Sequence, residues 1–351
     1  MNAAISRFDV VVVGGGAAGL SGALALSRAR RSVLVVDAGE PRNAPASGIH
    51  GYLGRENTPP AELTAIGRHE VESYGGTFMA GRVSSAEMVE GGGFLVNLGD
   101  GSQVHARRLL VATGLVDELP DIDGLAERWG RDVLHCPYCH GWEVRDRPIA
   151  VLAVGLSSVD QALLWRQWSN DITLFSHEEP AWDDDAIERL EARGIRVVSG
   201  RVAALMCDND ELVGLRLADG QDHPCAALVV APRFVASSDV LASLGARTTE
   251  LEVAGRVAGT YVASDATGLT EIAGVWVAGN ITDLFGQVIG AAAGAGRSAA
   301  AINADLVAED VRIAVAAGRQ PFSARSEREL SERVLGDRRH GLDAQTPGTP
   351  T

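Results

Sequence analysis

The apolar positions of this chain fall into short β-branched blocks separated by glycines and by Ala/Leu-rich stretches. Phe8–Val13 (FDVVVV) is a continuous apolar run, the pattern of a strand buried on both faces of a parallel sheet. Glycines follow at once, Ala17–Arg30 has the composition of a helix, and Ser32–Asp37 (SVLVVD) is a second buried strand. Together they make a βαβ unit of about 30 residues, the usual size for such a unit. Pro41–Pro60 is rich in Pro, Gly and Asn and predicts a long loop. A helix is expected over Pro60–Tyr74, and short alternating strands around a Gly-rich turn over Gly81–Gln103. Arg107–Thr113 (RRLLVAT) returns as a buried strand and ends in Thr113–Gly114. The pattern then restarts, with a strand at Pro148–Val154, a helix at Val159–Trp168 and a strand at Asp171–Phe175. Late in the chain, Gly274–Ala278 (GVWVA) and a small-residue helix at Gln287–Asp305 read as closing pieces of the first unit.

Composition narrows this picture. The 351 residues are 46% apolar and 22% charged, an ordinary globular balance with length for two domains. A formal charge of −15 argues against a nucleic-acid partner and against docking on an anionic membrane. No apolar run reaches the ~18 residues of a membrane span. The opening MNAAISRFDV leaves no room for a signal peptide, so the cytoplasm is the expected compartment. Four cysteines are too few for a secreted disulfide scaffold. Cys136 and Cys139 stand as C-x-x-C, which reads either as half a zinc site or as a redox pair. Zinc would need a second close pair, which Cys207 and Cys225 do not form, and His135 and His140 lie too near the motif to complete a tetrahedral set. A redox pair and no metal are therefore expected.

Gly14-x-Gly16-x-x-Gly19 follows a strand and opens a helix, the context in which this spacing binds a dinucleotide. Glycine at the turn lets a pyrophosphate approach the helix N-terminus, and an acid some 20 residues on accepts from a ribose hydroxyl. Asp37 stands at that place. The motif alone does not separate NAD from FAD. The expected fold class is α/β with two Rossmann-like dinucleotide-binding domains, the second inserted in the first. Residues 1–118 with 245–320 would form the first domain, residues 119–244 the second, and 321–351 a charged tail whose last dozen residues are expected to be disordered.

Two segments favour FAD. Leu109–Gly114 (LLVATG) resembles the turn by which two-dinucleotide-binding flavoproteins leave their FAD domain, and Val275–Asp283 (VWVAGNITD) resembles their late strand. Those proteins carry Gly-Asp at the strand tip, where this chain has Gly279–Asn280. The resemblance implies an FAD site formed by Gly14, Gly16, Ala17, Gly19, Asp37, Ala38, Arg42, His50, Ala112, Thr113, Gly114, Gly279, Asn280, Gln287 and Val288.

HCPYCHGWE, residues 135–143, falls at the entry to the inserted domain. That placement resembles the low-molecular-weight thioredoxin reductases. Within them, the segment is most similar to the dithiol oxidases that form the disulfides of natural products such as gliotoxin and holomycin. The reductases carry C-x-x-C-Asp-Gly, and His140 takes the position of that Asp. The resemblance implies a homodimer, Cys139 as the flavin-proximal sulfur and Cys136 as the sulfur that exchanges with substrate. A neutral imidazole at His140 suits removal of a thiol proton, the alternative being a solvent-facing histidine at a helix start. Trp142 reads as a packing residue. His50, in the loop Ser47–Leu53, belongs either at the dithiol or to the FAD loop.

The inserted domain departs from the reductases. Its expected G-x-G-x-x-G/A positions are Ala153, Gly155 and Ser158, with Val154 and Leu156 adding bulk. Where arginines would hold a 2′-phosphate, the chain reads Ser176–His177–Glu178–Glu179 and then Asp183–Asp184–Asp185, which disfavours NADPH. The expected function is FAD-dependent oxidation of a small-molecule dithiol to a disulfide with O2 as acceptor. The alternative is an NAD(P)H-dependent thioredoxin-like disulfide reductase.

Overall fold

The computed structural model describes residues 5–154, 158–177, 182–319 and 323–335. It divides into two compact units, residues 1–302 and residues 303–351. The first strand, Ser6–Val13, is the centre of the largest sheet. It pairs in parallel with Val33–Asp37 on one side and Gln103–Val111 on the other. Val10, Val11 and Val12 are wholly buried, and sequestering each side chain contributes roughly 1.5–3 kcal/mol. Thr77–Ala80 adds an outer parallel strand beyond Val33–Asp37. Gln103–Val111 divides its far edge: Gln103–Ala106 joins the antiparallel hairpin of Val83–Met88 and Phe94–Leu98, and Leu109–Val111 pairs in parallel with Val275–Val277. The registers Val13↔Val36, Val13↔Val111 and Val111↔Val277 bring four strand ends to one edge. Ligands bind at the carboxyl ends of such strands.

The second sheet is also parallel, in the order Arg196–Val198, Ile172–Phe175, Ile149–Leu152, Ala227–Val229, Val133–Leu134. Val133–Leu134 leads directly into His135 and Cys136. A small antiparallel sheet (Val202–Asp208, Glu211–Leu217, Asp222–Pro224) lies in the chain between its strands Arg196–Val198 and Ala227–Val229. A four-stranded sheet joins Leu115–Glu118 and Arg233–Ala236 to the hairpin Thr248–Val253 and Arg256–Val262.

Some boundaries differ from the sequence reading. Thr77–Ala80 was not foreseen as a strand, since its TFMA sequence has neither alternation nor a β-branched block. The last long helix runs Val288–Gly318 rather than ending at Asp305. No Gly or Pro interrupts it between Gly296 and Gly318, and charged residues do not stop a helix. The start of the charged tail forms the helix Ala324–Leu335, which carries an Arg325–Glu329 pair one turn apart. The final dozen residues lie outside the described residues, as do Gly155, Leu156, Glu178 and Glu179. Among the described residues, no helix is long and apolar enough to cross a membrane.

Candidate active site

A cavity of about 910 Å³ opens where the four parallel strands of the first sheet end, within the usual size range for ligand sites. Gly14 turns the chain out of the first strand at φ +100°, and a Cβ there would lie 2.5 Å from the Ala112 carbonyl oxygen. Gly15 N–H donates to Asp37 Oδ1 at 2.8 Å, which fixes the carboxylate at the cavity wall. A Cβ on Gly16 would meet no protein atom within 4 Å. Gly16 is also the N-cap of the helix Ala17–Arg28, and no side chain caps that end. Its first amides are therefore directed to whatever fills the cavity.

Of the residues expected at the FAD site, all but Gly19 line this cavity. Gly19 is a correction: a side chain there would collide with the Gly14 carbonyl oxygen, so its part is close packing of helix against turn. Several of the others already have protein partners. Arg42 makes a two-pronged pair with Asp117, Nε to Oδ2 at 2.8 Å and Nη2 to Oδ1 at 2.6 Å, and lies over the Phe234 ring. Its charge is spent on holding the long loop to Leu115–Glu118. The Thr113 hydroxyl donates to Ser237 O at 2.6 Å. Asn280 Nδ2 donates to the carbonyls of Asp283 and Gly286, both at 2.8 Å. A carboxylate could not make those two bonds, which accounts for Asn at a position that resembles the flavoproteins' Asp.

The dithiol faces the same cavity. Cys136 and Cys139 form a disulfide with Cα atoms 5.3 Å apart, and both are half-buried. Between them runs a single helical turn, Pro137–His140, whose Cys139 and His140 amides donate to Cys136 O at 3.2 Å. Gly141 follows because a Cβ there would lie 2.8 Å from Trp168 Cδ1. Tyr138 packs edge-on against the same indole. Trp142, expected to pack inward, is instead exposed, with the Arg145 guanidinium over its ring.

Three imidazoles line the cavity among the described residues: His50, His135 and His140. Burial pushes His140 below the ordinary histidine value, opposed by nearby Glu143 and reinforced by His50. His135, weighed in the sequence only as a zinc ligand, is pushed down by burial as well. Its Nδ1–H donates to Val230 O at 3.2 Å, which leaves Nε2 bare. The available signal was its place directly before Cys136. His50 Nδ1 lies 2.6 Å from Glu56 Oε1, and its Nε2 lies 3.6 Å from Glu143 Oε1. The two isolated cysteines differ: Cys207 is exposed, whereas Cys225 is buried and its thiol is pushed up to about 12.

A family model described as pyridine nucleotide-disulphide oxidoreductase matches residues 8–304. The chain belongs to this family. Thioredoxin reductase sirT of Leptosphaeria maculans is 30% identical over 329 residues, covering 86% of this chain and 97% of that protein. The crystal structure of HlmI superposes with a TM-score of 0.82 at 43% identity, over 89% of this chain and 96% of that one. The oxidoreductase from Agrobacterium tumefaciens gives a TM-score of 0.79 at 35% identity, over 86% of this chain and 99% of that one. This pyridine nucleotide-disulphide oxidoreductase is thus a thioredoxin reductase-like, flavin-dependent α/β enzyme with a disulfide redox role. FAD, the family's cofactor, fits the bare Gly16 cradle, the uncapped helix end and the Asp37 carboxylate.

Elsewhere in this pyridine nucleotide-disulphide oxidoreductase, the two residues that flank 155–157 are hydrogen-bonded to each other. Ala153 is buried, and Val154 N–H donates to Ser158 Oγ at 3.2 Å, so an amide suited to a phosphate is satisfied internally. Asp183 caps the helix Asp184–Ala192 by accepting from Ala186 N–H at 2.9 Å. The acidic run therefore has a structural use at a helix start.

Proposed function

We propose that this enzyme oxidises a small-molecule dithiol to a disulfide through Cys136–Cys139, with O2 as final electron acceptor. The observation that carries the reading is that the disulfide lines the same cavity as the glycine cradle. The Val154–Ser158 hydrogen bond adds support, because it occupies an amide at the usual entry point for nicotinamide electrons. A substrate thiolate attacks Cys136 Sγ, the Cys136–Cys139 bond breaks and Cys139 leaves as thiolate. The second substrate thiolate then attacks the substrate sulfur of the mixed disulfide and frees Cys136. His140, kept neutral by burial, takes a substrate thiol proton. Bound FAD would supply the electron sink, accepting two electrons from the dithiol and delivering them to O2 as H2O2.

In this reading residues 1–118 with 245–320 serve FAD, 119–244 carry the dithiol, and 321–351 are appended. The resemblance to gliotoxin- and holomycin-type enzymes supports a natural-product dithiol as the substrate class, and the opening sequence supports the cytoplasm as the setting. The resemblance also supports a homodimer, for which a monomer in sedimentation at micromolar concentration would be decisive counter-evidence.

The second reading is an NAD(P)H-dependent disulfide reductase, favoured by the name thioredoxin reductase borne by sirT. Oxygen consumption with dithiothreitol, with and without NADPH, separates the two. We expect dithiothreitol to bleach the flavin absorbance, air to restore it and NADPH to do neither. Rapid stoichiometric bleaching by micromolar NADPH would make the reductase reading the correct one.

A further inference from the structure

The exchange at Cys136–Cys139 requires two substrate thiols to be deprotonated, one after the other. A dithiol enters with two S–H protons. Two electrons pass from it to the cysteine pair, one S–S bond forms as another breaks, and Cys136 and Cys139 are left as thiolates. Two protons are released into a half-buried cavity, and His140 holds one. Of the other two imidazoles, His135 donates Nδ1–H to a carbonyl, presents its edge to Phe234 and is held neutral by burial.

His50 is built in the opposite way. An antiparallel bridge between Ile49 and Thr58 closes its loop and brings Glu56 beneath it. One Glu56 oxygen bonds His50 Nδ1 at 2.6 Å, and the other accepts from Gly51 N–H at 2.9 Å. That bond fixes the tautomer: Nδ1 keeps its hydrogen, and the Nε2 lone pair faces Glu143 Oε1 across 3.6 Å. Once protonated, the ring is an imidazolium held between two carboxylates. Glu56 is 62% exposed on its side chain, so the pair also reaches solvent.

We propose that His50 is the second proton acceptor of the dithiol reaction, that Glu56 is its positioning residue, and that the proton taken at Nε2 rests against Glu143. The proposal rests on the exchange chemistry above but not on the identity of the final electron acceptor. The titratable groups found near His50 are Glu56 from its own loop, and Glu143 and His140 from the segment after the dithiol.

The test follows disulfide reduction directly. Anaerobic, FAD-loaded enzyme is mixed with dithiothreitol, quenched in acid and alkylated. The Cys136 and Cys139 thiols are then counted by mass spectrometry across about pH 5.5 to 8.5, the range in which histidine titrates. His50→Gln should lower the plateau rate about a hundredfold, the scale of general acid–base catalysis. Glu56→Gln replaces the carboxylate that fixes His50 Nδ1–H by an amide, so the plateau should fall about tenfold. Glu56→Asp should restore most of the rate, and flavin content and thermal midpoint should hold in all three variants.

Wild-type rate and pH profile in both His50→Gln and Glu56→Gln would overturn the proposal. So would a pH-independent loss accompanied by lost flavin or a lowered midpoint, since a packing role explains that. A wild-type enzyme that exchanges with dithiothreitol yet consumes no O2 would remove the oxidase reading alone. One whose disulfide resists dithiothreitol would remove both.

Discussion

Gly14 and Gly16 stand two residues apart and should fail in opposite ways when given a side chain. At Gly14 the backbone is left-handed and a Cβ presses on Ala112 O, so Gly14→Ala should cost ~1–3 kcal/mol of stability. At Gly16 the added atoms point into open cavity from an extended backbone that valine tolerates. Gly16→Val should therefore fold with an unchanged thermal midpoint and lose its yellow colour. Full flavin content in that variant would remove the cradle assignment. Histidine titration gives a second expectation at this scale. His135 and His140 both have folded-state values below the ordinary 6.5. The unfolded chain thus takes up protons first as pH falls, and stability is complete above that value and declines below it. The midpoint should drop between about pH 7.5 and 5.5, and His140→Gln should reduce that drop.

Among the elements, the single turn Pro137–His140 is tightly specified, because a methyl group on Gly141 would press on both Pro137 O and Trp168. Gly141→Ala should push the turn outward, lower stability by ~1–3 kcal/mol as overpacking does, and slow disulfide reduction. Trp168→Leu in the same chain relieves the side-chain part of the clash, though not Pro137 O, and should recover part of the rate; no recovery would show that the indole is not the obstacle. The elements legible in the sequence were those with strong local signals. Val10–Val13, the glycine turn, Asp37 and the C-x-x-C all announce themselves within a few residues. Less visible were pairings that only a folded loop creates. His50 was noticed alone, but Glu56 becomes its partner only through the Ile49–Thr58 bridge. Arg42 was expected only as a residue of the FAD site, and its pairing with Asp117, far along the chain, had no local signal. Likewise Asn280 looked like a weakened Asp, and its two donated bonds depend on the path of Asp283–Gly286.

For the whole molecule, the governing feature is that the dithiol, the cradle and three histidines share one cavity, while Val154 N–H is bonded to Ser158 Oγ. Here both reactants would meet the enzyme through the same chamber, one after the other. The consequence is kinetic. If the proposed oxidase reading holds, dithiol would deliver its electrons and depart as disulfide before O2 collects them, without a ternary complex. Double-reciprocal plots against dithiothreitol at several oxygen tensions should be parallel, the signature of a ping-pong scheme. Intersecting lines would mean that a second entrance exists. High dithiol concentrations should also slow turnover, by refilling the chamber before oxygen enters it.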